Sequence, residues 1–183
     1  EVGVRRVVFL IESNETIDVQ AQDALKEFFS SESNDFVTAV DEKNIIVVKE
    51  LQAEDGYEEV QKIAASMLDM LSSEVMLSTR VAYGTIVNEI KEVSRSYKEA
   101  KMALEVGKIF FVDRKIVAYN ALGIGRLIYQ LPIPLCKMFI KEIFDGKNPE
   151  DLDEETLTTI NKFFENSLNV SETSRQLFIH RNT

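Results

Sequence analysis

A single cysteine, a single histidine and a shortage of positive charge mark out what this 183-residue chain is not. Cys136 alone forms no intrachain disulfide and no thiolate metal cluster. His180 alone excludes a multi-histidine metal centre, and a Ser–His–Asp arrangement would have to be built around it. Lys and Arg number 21 against 31 Asp and Glu, a net charge of −10. A body that acidic repels phosphate backbones, so nucleic-acid contact must be local or lie outside this chain. No run approaches the roughly 20 uninterrupted apolar residues of a membrane span, and no signal-peptide pattern opens the chain. Glu1 rather than Met stands first, which reads as the middle of a longer, cytoplasmic protein. With 45% hydrophobic and 28% charged residues, the chain can build a sizeable core without staples.

The first two-thirds alternate strand and helix signals. Val7-Val8-Phe9-Leu10-Ile11 reads as a buried strand. Asp18 to Phe29 carries Ala21, Leu25, Phe28 and Phe29 at helical spacing. Phe36–Val40 and Ile45–Val48 are β-rich runs joined by Asp41-Glu42-Lys43-Asn44, which predicts an antiparallel hairpin. After the Asp55-Gly56 turn, Tyr57, Val60, Ala64, Met67, Leu68 and Leu71 mark one face of a long helix. Arg80–Tyr83 is a strand ending at Gly84. A helix from Val93 follows, with Val93, Tyr97, Ala100 and Leu104 on one stripe and Gly107 placed to end it, and Lys115–Tyr119 is a final strand. The order β-α-β-β-α-β-α-β predicts an α/β (α+β) fold, a mixed sheet with helices on one face.

Beyond Asn120 the character is helical. Ile124–Phe144 is strongly apolar but broken at Leu131-Pro-Ile-Pro-Leu135, giving two helical pieces. Gly123-Ile-Gly125 has no third glycine for a dinucleotide fingerprint and reads as a flexible entry to the next helix. Cys136, between Leu135 and Met138, reads as a buried small hydrophobe. Asp145-Gly-Lys-Asn-Pro149 is the expected domain boundary. Asp151-Leu-Asp-Glu154 supplies an N-cap and a solvated acidic first turn for a helix striped by Leu157, Ile160, Phe164 and Leu168. A tight break near Asn169 leads to a second short helix, with Ser171 as N-cap and Val170, Leu177, Phe178 and Ile179 able to pack on its neighbour. Such a pair is the front half of a helix-turn-helix, whose next helix enters the major groove. Thr183 falls where that helix should start.

Leu168-Asn-Val-Ser-Glu-Thr-Ser-Arg-Gln-Leu-Phe-Ile-His-Arg-Asn-Thr183 resembles the start of the helix-turn-helix in the PucR/CdaR (sugar diacid regulator) family. Arg80-Val-Ala-Tyr-Gly84, Ser96-Tyr-Lys-Glu-Ala100 and Ala103-Leu104 resemble the GGDEF-like domain that precedes it there. The resemblance implies a mixed ferredoxin/GGDEF-like sheet over residues 1–120, connecting helices over 121–149 and the start of a DNA-binding domain over 150–183. It implies DNA contacts from Ser171, Ser174, Arg175, His180, Arg181, Asn182 and Thr183, the last four forming the turn and N-cap of the recognition helix. On the residues alone, His180 reads first as a packing or capping group, and Arg175 equally as an ion-pair partner of Glu172. Catalytic relatives of the GGDEF-like fold carry a Gly-Gly-Asp/Glu-Glu-Phe turn on the central hairpin. Asp41-Glu42-Lys43-Asn44 has two acids, no glycine and a competing Lys43, so no catalytic, metal or cofactor residue is expected.

The resulting expectation is a dimeric transcriptional regulator, not an enzyme. It binds operator DNA through the complete helix-turn-helix and takes a small-molecule effector in an N-terminal domain absent here. Ile124–Phe144 is the candidate link between domains or protomers. Two alternatives stand beside it. One is a divergent nucleotide cyclase on the same scaffold. The other is a ligand-binding module whose basic residues would be Arg5, Arg6, Arg80 and Arg114.

Overall fold

The computed structural model describes residues 3–29, 34–144 and 148–182. They divide into two compact units, Glu1–Leu122 and Gly123–Thr183. The first contains β1 (Arg5–Ser13), α1 (Val19–Phe28), β2 (Phe36–Ala39), β3 (Asn44–Leu51), α2 (Tyr57–Glu74), β4 (Thr79–Tyr83), α3 (Val93–Phe110) and β5 (Ile116–Ala118), in the expected order. The strands form one sheet in the order β2-β3-β1-β4-β5. Pairing is antiparallel except between β4 and β5, which α3 joins as a parallel crossover.

A run apolar at every position needs cover on both sides, because successive side chains of a strand point to opposite faces. β1 is therefore central. Val7, Phe9 and Ile11 pack with Ala21 and Leu25 of α1 and Val60, Ala64 and Met67 of α2. Leu10 packs on the other face with Ala82 and with Ala100, Ala103 and Leu104 of α3. The expectation of helices on one face is thus corrected: α1 and α2 cover one face and α3 the other. Gly107 is corrected too, for it lies inside α3 rather than ending it. It is buried against β5, and a Cβ there would stand 2.7 Å from Val117 Cγ2.

The strand-end positions that resemble the GGDEF-like domain have a structural reason. A Cβ on Gly84 would sit 2.1 Å from the carbonyl oxygen of Ser96, so only glycine lets α3 come this close. The Gly84 N–H donates to the Val8 oxygen (3.1 Å), and the buried Ser96 Oγ accepts from the Val8 N–H (3.1 Å) while donating to the Thr85 oxygen (2.8 Å). Glu99 Oε2 accepts from both the Thr85 N–H and the Thr85 hydroxyl.

The second unit holds α4 (Gly125–Tyr129), α5 (Ile133–Phe144), α6 (Glu154–Glu165) and α7 (Val170–Leu177). Gly123 takes a left-handed φ of 55° ahead of α4. The break falls at Gln130–Pro132. Pro134 lies in the first turn of α5, where its missing N–H costs nothing. No residue of α5 is buried, and Cys136 is half-exposed rather than buried, because burial needs a partner surface as well as an apolar sequence. In the expected boundary, Asp145, Gly146 and Lys147 lie outside the described residues. Asn148 caps the short 3-10 turn Pro149–Asp151. Among the described residues no helix is long and apolar enough to cross a membrane.

Candidate nucleic-acid interface

Asp153 starts α6: its carboxylate accepts from the Thr156 N–H at 2.7 Å and the Thr156 hydroxyl at 3.0 Å. These bonds hold the Asp153 carboxyl below its ordinary value. Ser167 and Leu168, with φ of 53° and 65°, reverse the chain after α6. Leu168 N–H closes the turn onto the Phe163 carbonyl at 2.8 Å. Two successive left-handed residues, neither a glycine, make the tight break expected near Asn169.

The cap of α7 differs from the expected one. Asn169 Oδ1 accepts from the Glu172 N–H at 3.1 Å, so Asn169 is the N-cap and Ser171 lies in the first turn. Asn and Ser cap equally well, and the Ser167-Leu168 reversal fixes which stands at the boundary. Thr173 is buried, donates to the Asn169 carbonyl (2.8 Å) and accepts from Asn166 Nδ2 (3.3 Å), which also reaches Gln176 Oε1 (3.1 Å). The sequence places the break near Asn169 but assigns no role to Asn166 or Thr173 and gives the cap to Ser171. Their signal was the spacing of short polar residues around the break.

α7 ends on Phe178 at φ 56°, and the Ile179 N–H bonds the Ser174 carbonyl at 3.0 Å. Leu177 and Ile179 line a groove of about 470 Å³ with Glu154, Glu155, Thr158 and Thr159 of α6. Val170 (49% exposed) and Phe178 (96% exposed) do not pack as expected; the left-handed cap turns Phe178 outward.

Among the sequence-predicted residues, Ser171, Ser174 and Arg175 lie on α7, with Ser174 Oγ donating to the Ser171 carbonyl at 3.0 Å. Arg175 grips Glu172 with both ends of its guanidinium, at 2.6 to 3.1 Å. This pair holds the Glu172 carboxyl below its ordinary value and raises Arg175. His180, Arg181 and Asn182 follow α7 as an exposed turn in which His180 Nδ1 accepts from the Asn182 N–H at 3.3 Å. Thr183 lies outside the described residues. The arrangement offers hydroxyls, a guanidinium and a turn rich in donors on one short stretch of surface, the groups that contact phosphates.

Among its described residues the α/β unit assembles no comparable centre. In the loop between β2 and β3, Asp41 Oδ1 accepts from the Lys43 N–H (2.8 Å) and Asn44 Nδ2 (3.0 Å), which lowers the Asp41 carboxyl below its ordinary value. Asp41 thus closes its own turn, with the Lys43 backbone N–H as one of its donors. Among the described residues no group of three or more His, Cys, Asp or Glu could hold a metal. The four candidate arginines do not converge. Arg5 donates to the Gln52 and Ala53 carbonyls and Arg6 pairs with Glu50 at 3.5 Å, at one end of β1. Arg80 stands opposite Glu12 near the other end and donates to the Val112 carbonyl, while Arg114 covers the Phe111 ring.

Asp153 gives a prediction in solution. Its carboxyl is depressed on folding, so the capping it contributes is present above an ordinary Asp value near 4 and is lost as pH falls through the lower folded one. The Thr156 amide resonance is expected to titrate below the ordinary Asp midpoint. In Asp153→Asn, which keeps the accepting oxygen, that titration should vanish. An ordinary midpoint in the parent chain would show that the cap is not formed.

A mixed five-stranded sheet followed by two short helices around a tight reversal defines an α/β domain joined to a helical unit. The family model for the GGDEF-like domain matches residues 1–106, and the chain belongs to that family. It is 25% identical over 138 residues to the purine catabolism regulatory protein of Bacillus subtilis (strain 168), covering 73% of this chain and 26% of that protein. It is also 26% identical over 159 residues to the DNA-binding transcriptional activator AdeR of the same organism, covering 80% of this chain and 36% of that protein. The chain therefore spans about a quarter to a third of the length of these curated relatives. The resemblance to regulators of the PucR/CdaR kind is borne out by these matches.

Proposed function

We propose that this chain is the central body of a DNA-binding transcriptional regulator and not an enzyme. In this reading residues 1–120 form the GGDEF-like scaffold, 121–149 connect, and 150–183 begin a helix-turn-helix. The observation that carries it is the α6–reversal–α7 pair, which ends in the exposed His180-Arg181-Asn182 turn. That turn would lead a recognition helix into the major groove, with Ser171, Ser174, Arg175 and Thr183 beside it on the phosphates. Both curated relatives are regulators by name, which supports the reading. The protein would act as a cytoplasmic homodimer on paired operator half-sites, its small-molecule effector received by a domain N-terminal to this chain.

Random-site selection with a salt titration tests it, comparing this chain with the full product of its native gene. The full product is expected to select one sequence, with affinity falling steeply as salt rises; this 183-residue chain of net charge −10 is expected to select none. Failure of the full product to select DNA, or metal-dependent turnover of a guanine nucleotide by either form, would overturn the reading.

A further inference from the structure

α5 is a 12-residue helix with no buried residue, although its sequence is the most apolar of the chain's longer helices. Leu127, Leu131, Leu135, Phe139, Ile140 and Ile143 are each between 41% and 63% exposed. Leu135, Phe139 and Ile143 repeat every four residues and form one row along α5, while Lys137 and Lys141 fall on its other side. Against that row lies a groove of about 420 Å³ running from Ile128 to Ile140, lined only by apolar side chains and Cys136.

We propose that this α4–α5 face is where two copies of the chain pair about a two-fold axis. Two observations select a second copy as the occupant. The first is area. At roughly 150 Å² for a large side chain, the six residues present on the order of 500 Å² of apolar surface. That is most of the ~800 Å² each partner gives to a standard interface. The second is charge. Residues 123–144 carry Arg126, Lys137 and Lys141 against Glu142 alone, net +2 in a chain of −10. The apolar row itself holds no ionisable side chain, and Lys137 and Lys141 fall off it, so two copies of an acidic chain can meet there without setting like charges against each other. The same patch serves both copies, as a two-fold contact requires.

The inference rests on the dimeric-regulator reading for its purpose, but it is measured without DNA, so the two fail separately. Sedimentation equilibrium of the 183-residue chain at tens of micromolar is expected to give twice the mass of one chain, and Phe139→Asp the mass of one. Because α5 has no buried residue, the variant should keep the parent's far-UV circular dichroism, its thermal midpoint falling only by the association it has lost. A short bismaleimide should join the parent chains into a covalent pair, necessarily through Cys136. If Phe139→Asp loses its fold, Ile143→Asp and the cross-link on the parent decide. A monomeric parent, a Phe139→Asp chain that dimerises as tightly as the parent, or a dimer that resists the cross-link would each overturn the proposal.

Discussion

Gly84→Ala is expected to cost the α/β unit about 3 kcal/mol or more, at or beyond the usual ceiling for over-packing a core. The added methyl would stand 2.1 Å from the Ser96 carbonyl oxygen and 2.7 Å from its carbonyl carbon. A flexible side-chain end could swing aside, but a helix backbone cannot. Relief would need α3 to lift from the sheet, loosening Ala100, Ala103 and Leu104 from Leu10 and Ala82. Gly56→Ala is the matched control, since a Cβ there meets nothing within 4 Å. It exchanges one helix-capping glycine for alanine and should cost no more than about 1 kcal/mol. Urea unfolding of the two variants should separate them clearly. Equal midpoints would show that α3 does not approach β4 as closely as described.

Ser96→Ala should cost about 1–3 kcal/mol, from an unpaired buried amide rather than a clash. The ladder between β1 and β4 runs out where the Gly84 N–H reaches the Val8 oxygen, and pairing resumes only at Arg6 and Val87. The Ser96 hydroxyl fills that gap by accepting from the Val8 N–H. Alanine leaves this fully buried amide without its partner and takes the donor from the Thr85 carbonyl. Exchange of the Val8 amide with solvent deuterium is therefore expected to speed up beyond the global loss of stability. Unchanged relative protection of Val8 would show that the hydroxyl is not its partner.

Much of the fold could be read from the sequence because its signals are local. The five-residue apolar run gave β1, and the Val60–Ala64–Met67–Leu71 stripe gave α2. What escaped depended on contacts far apart in the chain. The one-face layering failed because nothing near α3 says which side of the sheet receives it, although a β1 apolar on both faces already required two layers. Gly107 read as a helix end because glycine usually stops helices; its role depends on Val117, ten residues on. Cys136 read as buried because its neighbours are apolar, yet α5 finds no cover within its own unit. In the candidate interface, the two helices and their break were legible. The cap moved from Ser171 to Asn169, because the reversal fixes the boundary more tightly than propensity does.

The position of β1 has a consequence for synthesis. Within this sheet the central strand leaves the ribosome before any of its partners, which arrive much later: Phe9 pairs with Val47 and, on the other side, with Tyr83. Until Tyr83 emerges, Val7–Ile11 is an apolar, strand-forming stretch with at least one open edge, the kind of segment that draws nascent chains together. β1 and β3 can close as a first, incomplete sheet, but the face that α3 will cover stays bare until translation has passed Phe110. This order leaves the sheet open to association between the emergence of Phe9 and that of Phe110, an exposure that a holdase chaperone would shield.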